Sequence, residues 1–189
     1  MQKIRTFIAI KIPETLVTAF DEMLSEMRRI DSGVKWVHPK SIHLTLKFLG
    51  GITAAQRDKV FESVASVVRN ERPFALKTAL PGAFPSLKRP KVFWLGLQPG
   101  HLKNLSRIHA KIETELAKND FPKETRAFKP HLTIGRVKYS KNLAEVAEKF
   151  SAYPFSQIEI PVAELLVMKS ELRRNGAIYT TQKAFLLSK

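Results

Sequence analysis

The chain has no cysteine among its 189 residues. Disulfide staples, thiolate nucleophiles and cysteine-based zinc sites are therefore excluded, and the composition suits a reducing compartment, with the cytoplasm as the expected location. No apolar run approaches the ~18 residues of a membrane span, so no membrane partner is expected. The opening segment "MQKIRTFIAIKIPE" has a short apolar centre but no small-residue cleavage site behind it, and it reads as a first strand. Low-complexity tracts and solenoid periods are absent. Acidic residues are scarce: 17 Asp and Glu face 32 Lys and Arg, a net charge of +15. Such a field attracts polyanions, of which nucleic acid is the commonest; a merely soluble cationic surface is the plainer alternative.

What is present is a foldable chain: 44% of its residues are apolar, enough for a sizeable core. "TFIAIKI" (6–12) is β-like, and Pro13 opens a helix with Leu16, Ala19, Phe20, Met23, Leu24 and Met27 at helical spacing, ended by Gly33. "SIHLTLKFLG" (41–50) alternates as a strand, and Thr53 is placed to cap a helix carrying Val60, Val64 and Val67. "FALKTAL" (74–80) is a strand and "PGAFPSLKRP" (81–90) a proline-rich loop. The order then repeats, with a strand at 91–97, a helix at 101–118, a strand at 131–137 and a helix at 142–150. Strands near 155–160, 163–169 and 178–186 complete it. The expected class is α+β: duplicated strand-helix-strand units forming two antiparallel-sheet lobes around a central cleft. This is one bilobal domain over 1–189, with halves of roughly 1–80 and 91–189 and the chain free to cross between lobes. Positive charge recurs in "SLKRPK" (86–91), "FPKETRAFK" (121–129) and "KSELRRNG" (169–176), a pattern that suits the rim of a binding surface.

The duplication exposes the chemistry. "HLTL" at 43–46 returns as "HLTI" at 131–134, eighty-eight residues later. Strand alternation puts His43, Thr45 and Lys47 on one face and Ile42, Leu44, Leu46 and Phe48 on the other, a core face; His131 and Thr133 likewise share a face. Core packing does not require a polar His and Thr on one face twice. Two imidazoles and two hydroxyls related by a pseudo-two-fold suit a phosphate diester held between them. One imidazole serves as base on the attacking oxygen and the other as acid on the leaving oxygen. The hydroxyls and nearby cations such as Lys47 would hold the non-bridging oxygens. Two histidines without a third or a carboxylate fall short of a catalytic zinc set, and the motifs lack the carboxylates magnesium prefers; no metal and no cofactor are expected. Trp36, Phe84 and Tyr179 are candidates to stack on a base, with core packing as the alternative. His38, His101 and His109 have no Thr two residues on, and His109 is expected to be exposed.

With these motifs, "RTFIAIKIP", "KWVHPKSIHLTLKFLG", "SLKRPKVFWLGL", "FKPHLTIGRV" and "MKSELRRNGAIYT", the chain resembles the two-histidine (2H) phosphoesterases over nearly its whole length. More narrowly it resembles the RNA 2′,3′-cyclic phosphodiesterases of the 2′-5′ RNA ligase family, which share the HxTx motif. The resemblance implies a bilobal α+β fold with the histidines in a central cleft. It also implies an RNA-processing hydrolase that opens terminal 2′,3′-cyclic phosphates to 2′-phosphomonoesters, with His43 as proton donor and His131 as proton acceptor. The symmetry of the motifs leaves those two roles open on the residues alone. The resemblance further implies that Arg136 contacts phosphate. Strict alternation puts Arg136 on the Ile134 face, and Gly135 is where a bulge could re-aim it. The implied partner is RNA with a 2′,3′-cyclic phosphate terminus, and no obligate protein partner is evident. Reversible 2′-5′ end-joining in the same site and a non-catalytic basic RNA-binding module are the alternatives.

Overall fold

The structure, a computed structural model, describes residues 3–173 and 176–188. Arg174 and Asn175, which belong to the third basic segment, lie outside the described residues. Nine strands are described: β1 (Ile4–Lys11), β2 (Val34–Trp36), β3 (His43–Ile52), β4 (Phe74–Phe84), β5 (Val92–Leu97), β6 (Leu132–Val137), β7 (Glu159–Val162), β8 (Glu164–Arg173) and β9 (Gly176–Leu186). Four α-helices accompany them: α1 (Glu14–Met27), α2 (Ala54–Val68), α3 (Leu102–Ala117) and α4 (Leu143–Ala152).

Local chemistry accounts for the helix starts. Pro13 precedes α1, and Glu14 places an anion at the positive end of the helix dipole. Thr53 and Gln56 form a reciprocal capping box on α2. Each helix then buries one stripe: Leu16, Phe20, Met23, Leu24 and Met27 on α1; Leu105, Ile108, Ile112 and Leu116 on α3.

All strand pairings among the described residues are antiparallel, in the order β7-β4-β5-β6-β3-β1-β8-β9, with β2 beside β6. The two motif strands meet in the middle through the pair Leu44 and Leu132. The two sheets are therefore continuous at that point rather than separate walls. The chain crosses between them: β4 leaves the first half to pair with β5, while β8 and β9 return beside β1. The helices exchange in the same way, α1 packing with α4 and α2 with α3. Leu44, Leu132 and Ile134 join Phe20, Val64, Ile112 and Phe150 in one buried cluster, leaving the opposite face of the motif strands to the cleft.

Two local expectations are corrected. Residues 81–84 continue β4 instead of starting the loop, pairing with Val92–Leu95 after a register shift between Thr78 and Pro81. A proline has no N–H to donate, and here it falls beyond the span of β4 paired with β7 (Phe74–Lys77), so no ladder bond is lost on that edge. Strand β2 was not anticipated; three residues after Gly33 are too few to show a period.

One buried ion pair ties three elements together. Lys47 of β3 donates at 2.8 Å to both carboxylate oxygens of Glu113 on α3 and to the Pro122 carbonyl, and the Glu124 N–H donates to Glu113 Oε2 at 2.9 Å. The Lys47 side chain is only 3% exposed. Glu113→Ala should lower unfolding free energy by ~3–5 kcal/mol in urea denaturation, because the ammonium is left buried and unpaired. The joint replacement Lys47→Met with Glu113→Leu should recover most of that loss. A single-variant change under ~1 kcal/mol would show that the pair can be dissolved into solvent.

Candidate active site

Both motif strands carry a β-bulge, at the same distance from their histidines. Between β1 and β3 the register steps from Ala9 opposite Thr45 to Ile8 opposite Lys47, passing Leu46. Between β5 and β6 it steps from Trp94 opposite Thr133 to Phe93 opposite Gly135, passing Ile134. An extra residue inverts the alternation that follows it. Arg136 is therefore turned from the Ile134 side to the His131 side, and Phe48 is turned from the core side to the cleft.

The result is a cavity of about 120 Å³ lined by His43, Thr45, Phe48, His131, Thr133 and Arg136, with Tyr179 at its edge. Phe48, expected in the core, is 63% exposed. It holds the place in the first motif that Arg136 holds in the second, five residues after the histidine, a match that direct superposition of "HLTLKF" on "HLTIGR" would have revealed. Lys47 is also corrected. The bulge takes it off the His43 face, and all three of its N–H donors are consumed by Glu113 and Pro122, so none is left for a substrate phosphate.

Gly135 is required where it stands. A Cβ there would lie 2.6 Å from the Trp36 ring and 2.9 Å from Val34 Cγ1, because β2 pairs beside the bulge with Trp36 opposite Gly135. Trp36 itself packs on Phe93 and Phe150 at centroid distances of 5.6 and 6.2 Å, which makes it core and removes it as a base-stacking candidate.

The two imidazoles are held alike. His43 Nδ1 lies 2.8 Å from the Ser41 carbonyl and His131 Nδ1 lies 2.7 Å from the Lys129 carbonyl. A carbonyl only accepts, so each Nδ1 carries the proton and each Nε2 is left for chemistry. Aromatic rings fix the planes. His43 stacks on Phe7 at 4.7 Å and meets Tyr179 edge-on at 4.9 Å; His131 meets Phe84 edge-on at 5.0 Å. Burial lowers the pKa of both imidazoles from the ordinary value, and the carbonyl bonds oppose it. For His131 the Arg136 guanidinium adds to the lowering.

His109 differs from expectation. Its side chain is 13% exposed, its ring stacks flat on Phe128 at 3.8 Å, and its Nε2 lies 3.7 Å from Glu113. Burial lowers its pKa, with Glu113 acting against that. Among the described residues, no group of three or more His, Cys, Asp or Glu side chains is arranged to hold a metal ion. No described helix is long and apolar enough to cross a membrane.

Residues 17–174 match the family described as the 2′-5′ RNA ligase superfamily. The chain belongs to that superfamily. Its relatives include the RNA 2′,3′-cyclic phosphodiesterase of Aquifex aeolicus, 32% identical over 99% of this chain and 99% of that protein. The protein of the same name from Methanothermobacter thermautotrophicus is 30% identical over 98% of this chain and all of that protein. Among solved structures, TT0787 of Thermus thermophilus superposes with a TM-score of 0.78 at 25% identity, covering 97% of both chains. Apo LigT of E. coli superposes at 0.76 over the full length of both chains; at 22% identity it shows a shared fold.

The cavity electrostatics can be read directly. Imidazole titrations followed by NMR should place both His43 and His131 below an ordinary histidine, and Arg136→Ala should raise the midpoint of His131 while leaving that of His43 in place. Equal movement of both midpoints would show that the guanidinium does not sit beside His131.

Proposed function

We propose that this chain is an RNA 2′,3′-cyclic phosphodiesterase that works without a metal, with His43 and His131 as its acid and base. The observation that carries the reading is the pair of equivalent bulged strands, each presenting an imidazole with a free Nε2 beside a threonine. The names of the full-length relatives in the superfamily supply the substrate class.

The chemistry follows from the atoms. His131 Nε2 takes a proton from water as its oxygen attacks phosphorus. The bond from phosphorus to the 3′ oxygen breaks, and protonated His43 delivers its Nε2 proton to that oxygen. The product is a 2′-phosphomonoester with a free 3′ hydroxyl. The donor and acceptor roles follow the family resemblance, since the two sites are alike in their carbonyl bonds and their lowered pKa. In this reading Thr45 and Thr133 donate to the non-bridging oxygens and Arg136 neutralises charge on them. Tyr179 borders the cavity from β9, where a hydroxyl and a ring edge are available to the terminal nucleoside. The substrate is RNA ending in a 2′,3′-cyclic phosphate, and the excess of cations favours such a polyanion.

His43→Ala and His131→Ala should each cost on the order of 10²–10⁴ in turnover of a cyclic-phosphate-ended oligonucleotide. Chelator should leave the wild-type rate unchanged. The pH profile of kcat/KM should be bell-shaped, with its maximum below the ordinary imidazole value, because one proton must be shared between two groups whose pKa values are both depressed. The kcat profile should lie at higher pH, since a bound phosphate anion favours imidazolium. A histidine variant with near-normal turnover, or activity lost to chelator and restored by a divalent ion, would refute the pair.

Arg136→Lys tests the phosphate contact separately. A point charge in place of the guanidinium fork should still cost about 10-fold or more in kcat/KM. Wild-type behaviour of Arg136→Ala would place its side chain outside the reaction.

A further inference from the structure

The catalytic cavity is small. At about 120 Å³ it falls below the ~300 Å³ at which ordinary small-molecule sites begin. It opens, through Thr45, Phe48 and His131, onto a second cavity of about 810 Å³. The far wall of that cavity is the segment joining α3 to β6. It presents Arg126, Lys129 and Phe128 toward Phe84 and Phe48. His109 backs Phe128 in a stacked pair with an interplanar angle of 6°.

We propose that this second cavity binds the RNA strand leading up to the reactive end, with Arg126 and Lys129 meeting the phosphodiester 5′ of the terminal nucleotide. The proposal rests on the reading of the catalytic cavity given above. Three observations carry it. The two cavities share Thr45, Phe48 and His131, so an occupant of the second lies directly beside whatever His131 acts on. The charge suits a phosphodiester: Glu113 behind the wall is already neutralised by Lys47, and Arg126 and Lys129 outnumber the one lining carboxylate, Glu124. The exposed Phe48 ring and Phe84 flank the passage between the cavities, and Phe128 continues the aromatic surface beyond it, which suits stacked bases.

The wall is also tied to the chemistry at both ends. Pro122 and Glu124 at its start are held by the Lys47 and Glu113 pair, and the Lys129 carbonyl at its end receives the His131 Nδ1–H. A strand laid along this wall is thereby in register with the imidazole.

The test compares a cyclic mononucleotide, which has no internucleotide phosphate, with a tetranucleotide ending in a 2′,3′-cyclic phosphate. The wild type should favour the tetranucleotide in kcat/KM. In the double variant Arg126→Ala with Lys129→Ala that preference should fall about tenfold, through KM rather than kcat. An unchanged preference would overturn the proposal. So would equal losses on both substrates, which would assign the two cations to the terminal nucleotide. Fluorescence anisotropy of a labelled tetranucleotide carrying the 2′-phosphate end gives a readout that does not need turnover. The double variant should bind it about tenfold more weakly, and equal affinity would sink the strand path. Lack of turnover by the wild type on either substrate, with the binding difference intact, would remove the catalytic reading and keep the strand path.

Discussion

Everything at the centre of this molecule depends on the extra residue that directly follows the threonine in each motif strand. Without the extra residue at Leu46 and at Ile134, plain alternation would send Phe48 and Arg136 into the core with Leu44 and Leu132, and the cleft would hold Lys47 beside the two imidazoles and two hydroxyls. The bulges convert a face of three residues into a concave site with a cation on one side and an exposed ring on the other. They also break the symmetry of the duplication. Positions equivalent in the backbone carry Phe in one copy and Arg in the other, so a nearly two-fold scaffold presents an asymmetric surface. A substrate with one charged reacting group and one aromatic base matches that asymmetry.

Much of this was legible in the sequence because it depended on periodicity. The helices of α1 and α3 announced themselves through Leu16, Phe20, Met23 and Leu105, Ile108, Ile112, and the cap of α2 through Thr53. The motif residues His43, Thr45, His131 and Thr133 followed from a period of two and a repeat. What was not legible depended on partners that no period encodes. Lys47 looked like a phosphate ligand because its distance from His43 is even; the structure shows a bulge between them and a carboxylate sixty-six residues away that takes the ammonium. Trp36 looked like a stacking surface, but its place in β2 beside the second bulge packs it on Phe93 and Phe150. Arg136 was pointed to by the family resemblance; alternation set it on the opposite face, and Gly135 marked only where a bulge could turn it back. The exchange of β4 with β8 and β9 between halves left no trace in local sequence, since each strand is equally amphipathic in either sheet.

The Lys47 and Glu113 pair gives the site its rigidity. Burying two charges costs solvation that the mutual attraction only partly offsets, so such pairs are poor general stabilisers. Its geometry gives it another use here. It fastens the first motif strand to α3 and to the segment that leads into the second motif, so the two histidines are connected through a short chain of packed groups as well as through the single strand pair at Leu44 and Leu132.

The strand exchange has a consequence for the order of assembly on the ribosome. Strand β1 and the first motif strand emerge early, yet the neighbour that completes their half is β8, and the ring that closes over His43 belongs to β9. Of the described strands, these two are synthesised last. Until they arrive, β1 stands as an open edge with a row of unpaired amides and carbonyls, the type of surface that invites wrong partners. The α1 and α4 layer faces a similar delay. Both halves therefore stay unfinished until β8 and β9 have emerged, and the cleft between them closes in one late step that lays β8 beside β1.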